Sequence, residues 1–106
     1  MGVVYYPVAG PGELKEGDMK PVDLGGREIL VTMADGELFA FARQCPHEAT
    51  NLDTAEVMEG LKLRCEGHNY CFDLRTGECV TPAGGPALAV LPLEEHEGKV
   101  CVRLEW

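Results

Sequence analysis

Gln44-Cys45-Pro46-His47-Glu48-Ala49-Thr50-Asn51-Leu52-Asp53 and, further on, Cys65-Glu66-Gly67-His68-Asn69-Tyr70 are the two stretches that interrupt an otherwise strand-like sequence. Each carries a cysteine at or next to its start and holds a histidine: Cys-x-His, seventeen intervening residues, then Cys-x-x-His. A lone buried Cys is a small hydrophobe, and a lone His is an ordinary side chain. Two such pairs, each following a strand-like segment, point instead to a shared metal. Two Cys and two His make a common structural zinc site. The usual zinc finger, however, groups its cysteines together and its histidines together on a helix. Here each loop supplies one of each. A two-iron cluster accounts for that mixed supply, because one loop can then offer its thiolate to one iron and its imidazole to the next. Residues i and i+2 of an extended chain lie about 6–7 Å apart, which suits neighbouring irons. Spacing leaves both metals open and favours the two-iron site.

Outward from these loops the pattern is β throughout. Ile29-Val31-Met33, Leu61-Leu63-Cys65 and Val100-Val102-Leu104 each place apolar side chains on one face. Turn signals recur at Gly25-Gly26, Asp35-Gly36, Thr76-Gly77, Gly84-Gly85-Pro86 and Glu97-Gly98. Asp35-Gly36 stands between Ile29–Met33 and Leu38–Phe41, which predicts a tight hairpin. Leu14-Lys15-Glu16-Gly17 has room for one helical turn. Short strands at this spacing predict an all-β, antiparallel sandwich or partly open barrel, with the two loops projecting from one end, where chemistry is usually carried.

With 106 residues, one core is expected. No apolar run approaches the roughly 18–20 residues of a membrane span, and the N-terminal residues lack the basic and apolar regions of a signal peptide. Nine basic against eighteen acidic residues give a net charge of −9, which argues against a nucleic-acid surface and suits basic protein partners. Five cysteines, an odd number without a secretion signal, predict a reduced, cytoplasmic setting and no disulfide framework.

Cys45-Pro46-His47, Cys65-Glu66-Gly67-His68 and the hairpin Phe72-Asp73-Leu74-Arg75-Thr76-Gly77-Glu78 together resemble the Rieske-type ferredoxins. The likeness covers nearly the whole chain. It implies a Rieske β-sandwich over residues 1–106, with a small cluster-binding subdomain at about 43–82. It implies a [2Fe–2S] cluster held by Cys45 and Cys65 on one iron and His47 and His68 on the other, with 82–86 as a third loop shielding it. Two positions depart from the family: Glu66 stands where Pro is usual, and Asn69 where Gly is usual. Asn tolerates positive φ, so the turn can be kept. Thr50 and Gly67 occupy the places of the cysteines that bridge the two loops in quinol-oxidising relatives.

Function follows from the resemblance. Three histidines, two of them ligands, leave nothing for the mononuclear iron of an oxygenase, and there is no Gly-rich nucleotide fingerprint. The chain is expected to be no enzyme but a one-electron carrier between a flavin-dependent reductase and a ring-hydroxylating oxygenase or similar oxidoreductase. Two alternatives stand beside it: the small subunit of a nitrite-reductase-like enzyme, and a zinc-stabilised interaction module. In quinol-oxidising relatives a Ser two residues and a Tyr four residues after the second His donate hydrogen bonds toward the cluster. Here those places hold Tyr70 and Phe72, so a low potential is expected. Cys71, Cys79 and Cys101 match no ligand position, and Cys71 reads as a packed or partly exposed thiol. His96 reads as a solvated turn residue, and Tyr5, Tyr6 and Trp106 as core anchors.

Overall fold

The computed structural model describes residues 2–46, 50–66 and 69–105. His47, Glu48, His68 and Trp106 of the readings above lie outside them.

Among the described residues, eleven strands form three antiparallel sheets. The first joins β1 (Val3–Ala9), β11 (Lys99–Glu105) and β10 (Leu93–His96) in that order. The second runs β2 (Met19–Asp23), β3 (Glu28–Ala34), β4 (Glu37–Ala42) and β9 (Val90–Leu91). The third runs β5 (Glu56–Met58), β6 (Lys62–Arg64), β7 (Cys71–Asp73) and β8 (Cys79–Thr81). No helix occurs among the described residues, and none is long and apolar enough to cross a membrane.

The second sheet is the middle layer, and its sequence shows why. On β3, Ile29, Leu30, Val31 and Thr32 are all fully buried, so both faces of this strand are covered. Ile29 and Val31 pack with Val8, Ala40, Leu91 and Val102, closing the sandwich against the first sheet. Leu30 points the other way and packs with Phe39, Phe41, Leu63, Phe72 and Leu74 beneath the third sheet. The side-chain period of two thus sorts one strand into two cores. Thr32, the buried polar residue of this strand, donates its hydroxyl to the Asp18 carbonyl at 2.6 Å.

The hairpin at Asp35-Gly36 forms as the sequence predicts: Ala34 faces Glu37, and both turn residues have positive φ, 55° and 75°. The segment at Leu14–Gly17 does not make a helical turn. Its chain is instead bent by Asp18, whose N–H reaches the Lys15 carbonyl at 2.9 Å while its carboxylate takes the Lys15 N–H. Two further readings change. His96 is exposed, as expected, but it ends β10 instead of lying in a turn, and it stacks on Tyr5 with ring centroids 4.1 Å apart and planes 8° apart. Tyr6 is exposed on β1, so it does not anchor the core.

Candidate metal centre

Cys45 follows β4 and Cys65 follows β6, as the strand pattern predicts. Both cysteines are 1% exposed and belong to the same core with Phe41, Leu52, Phe72, Leu74 and Leu88. None of the five cysteines is in a disulfide.

The two loops are closed alike. The Cys45 N–H donates to the Thr50 carbonyl at 2.8 Å, and the Cys65 N–H donates to the Tyr70 carbonyl at 2.7 Å. In each case a cysteine is tied to the residue five positions on, which gives the two stems the same closure. The first stem is finished by a bridge between Gln44 and Asn51 and by the Leu52 N–H to the Arg43 carbonyl at 2.7 Å. The second stem is the hairpin of β6 and β7, in which Arg64 faces Cys71.

An arginine braces each stem. Arg43 grips Asp53 with a two-pronged fork, Nε and Nη2 each donating at 2.8 Å, and reaches Glu28 with Nη1 at 2.5 Å. The guanidinium holds the Asp53 carboxyl below the usual carboxylate range, against the smaller opposing pull of desolvation. Arg64 donates to Asn69 Oδ1 at 2.8 Å and to Glu56 Oε2 at 3.1 Å. Asn69 has φ of 56°, so it keeps the left-handed turn where Gly is usual.

The hairpin after Phe72 is closed by Asp73, which accepts the Arg75 N–H at 2.7 Å through its carboxylate, and whose carbonyl accepts the Gly77 N–H at 2.7 Å. The third loop leaves β8 through a cis Thr81–Pro82 bond and turns with the Gly85 N–H on the Pro82 carbonyl at 3.0 Å. It lies over Cys79, since a Cβ at Gly85 would come within 2.8 Å of Cys79 Sγ. Cys79 is buried in the same core as Cys45 and Cys65, while Cys71 is half-buried, in keeping with a packed or partly exposed thiol there.

Two buried thiols, each at the head of a matched loop, fit a metal group with thiolate ligands. Among the described residues, the structure brings Cys45 and Cys65 into one core; His47 and His68 lie outside them. Sequence reasoning missed both arginine braces, because charged residues read alone look like solvated surface.

A family described as Rieske [2Fe-2S] domain matches residues 4–93. The ferredoxin component of the alkene monooxygenase system of Xanthobacter autotrophicus is 28% identical over 103 residues, covering 97% of this chain and 84% of that one. Apoptosis-inducing factor 3 of Homo sapiens is 31% identical over 91 residues, which are 86% of this chain but 15% of that longer protein. Among solved structures, the ferredoxin of carbazole 1,9a-dioxygenase from Nocardioides aromaticivorans superposes with a TM-score of 0.82 at 24% identity, covering 92% of this chain and 95% of that one.

Proposed function

This chain belongs to the Rieske [2Fe-2S] domain family, and from that premise we propose that Cys45, His47, Cys65 and His68 hold its cluster. The cofactor is a Rieske-type [2Fe–2S] cluster, and the chain is an electron carrier of an oxidoreductase system rather than an enzyme. When bound, the cluster supplies a one-electron couple.

The assignment gives each residue a task. Cys45 and Cys65 offer thiolates to one iron from the buried side of the loops. His47 and His68 hold the other iron by one ring nitrogen each. The observation that carries the reading is the matched pair of buried cysteines, each heading a loop tied to the fifth residue on. The cluster-binding subdomain then spans about 43–82, built on the third sheet, while the first two sheets form its base.

Electrons pass, on this reading, from a flavin-dependent reductase to an oxygenase. The ferredoxin component of an alkene monooxygenase system, similar over 97% of this chain, supports the oxygenase end. A net charge of −9 supports basic docking surfaces on both partners. Five thiols outside any disulfide support a reducing, cytoplasmic setting.

The test is iron and acid-labile sulfide analysis of the purified wild type and of Cys45→Ser and Cys65→Ser. Two irons and two sulfides per chain, lost from both variants, are expected. A colourless protein containing zinc, or full iron retention in either variant, overturns the assignment.

A further inference from the structure

Side chains on β6 alternate across the sheet. Leu63 and Cys65 are buried, which turns the intervening Arg64 outward. There its guanidinium has two partners among the described residues. Nη2 donates to Glu56 Oε2 at 3.1 Å, and Glu56 is the residue facing Arg64 across the ladder to β5. Nη1 donates to Asn69 Oδ1 at 2.8 Å. The arginine is thus seated on the sheet by one arm and spans the mouth of the second loop with the other.

Asn69 is suited to receive it. Its φ of 56° is a conformation in which Gly costs least, and Asn is one of the few other residues that tolerate it. What Asn adds over Gly is an acceptor oxygen. One residue on, the Tyr70 carbonyl accepts the Cys65 N–H at 2.7 Å. The loop exit therefore carries a backbone tie and a side-chain tie side by side. The brace on the first loop differs: Arg43 grips Asp53 and Glu28, which belong to the stem below the loop and not to its exit.

We propose that Arg64 is a positioning residue which, through Asn69, latches the second loop and fixes how that loop presents its ligands to the cluster. The inference rests on the ligand assignment made above. Among the described residues the guanidinium's hydrogen-bond partners are Glu56 and Asn69, and Asn69 is the residue that follows the loop's histidine position.

The experiment compares the cluster-loaded wild type with Asn69→Gly, Asn69→Asp, Arg64→Lys and the Asn69→Gly/Arg64→Lys double variant. It reads iron content, the linewidth of the reduced protein's electron paramagnetic resonance signal, and the rate of bleaching by a ferrous-iron chelator. All variants should bind two irons. Asn69→Gly and Arg64→Lys should each broaden the signal and bleach about three- to ten-fold faster, the scale of losing one exposed charge-assisted hydrogen bond. The double variant should be no worse than either single one, because both break the same contact. Asn69→Asp keeps an acceptor oxygen and should retain the wild-type linewidth. Wild-type linewidths in both single variants, additive effects in the double one, or broadening by Arg64→Lys alone overturns the latch. Failure of the ligand assignment looks different: the wild type then lacks iron, or Cys65→Ser keeps it.

Discussion

Phe72 is fully buried in the core that holds Cys45 and Cys65, and it faces Leu63 on β6 and Cys79 on β8. It therefore stands among the thiols without a hydroxyl to offer them. Donors to cluster sulfur favour the more negative, reduced state, so a site lacking them has a lower potential. Rieske centres span about −150 to +300 mV, and the wild-type midpoint is expected below about 0 mV. A midpoint near the top of that range would contradict the reading of this site as poor in donors. Phe72→Tyr restores the hydroxyl. A hydrogen bond worth about 0.5–1.5 kcal/mol more in the reduced state corresponds to roughly 20–65 mV for a one-electron couple. Potentiometric titration should show an upward shift of that size. An unchanged or lowered midpoint would mean that position 72 does not govern donation to the cluster.

At the scale of elements, the stem of the first loop depends on Arg43 and Asp53. The Asp53 carboxyl is held below its ordinary value, chiefly by the hydrogen bonds from Arg43. A depressed carboxylate contributes stability that is fully present above its unfolded-state value, about 3.9, and is lost as pH falls through the lower folded-state value. Urea midpoints of wild type and Asp53→Asn should therefore differ by a constant amount above about pH 5 and converge below about pH 4. A difference that persists undiminished into acid would assign the stem's stability to something other than this ion pair.

Elements were also where the sequence was most and least legible. Strand alternation at Ile29–Met33 and the Asp35-Gly36 turn led to the right hairpin, because both are local signals. The loops were found because Cys and His rarely pair twice by chance. That β3 is buried on both faces was missed: a run of four buried residues reads from sequence only as a core strand, and which layers cover it is a long-range matter. Gly77 was read as a turn residue. Its tighter constraint is remote in sequence, since a Cβ there would lie 2.0 Å from the Leu88 carbonyl oxygen. The Tyr5–His96 stack joins strands on either side of β11, so it too was invisible to neighbour-by-neighbour reading.

For the whole molecule, charge is the dominant long-range property. Eighteen acidic residues outnumber nine basic ones, and among the described residues Lys20, Arg43, Arg64, Arg75 and Arg103 are already engaged by carboxylates. The field presented to a partner is therefore strongly negative, and encounter with basic surfaces should be steered by it. Electron-transfer rates measured at sub-saturating protein should fall as ionic strength rises and the Debye length shrinks toward about 8 Å. Rates indifferent to salt would reduce the acidity to a solubility feature.

The central claim is that two thiolates and two imidazoles from two matched loops hold the cluster. The most direct measurement is pulsed electron paramagnetic resonance of the reduced protein labelled with 15N only in histidine, alongside the same sample of His96→Asn. The unpaired electron couples to nitrogens bound to iron, so two 15N couplings should appear and should survive the loss of His96, which stacks on Tyr5 at the far end of β10. No 15N coupling, a single one, or one that vanishes with His96 would contradict ligation by His47 and His68.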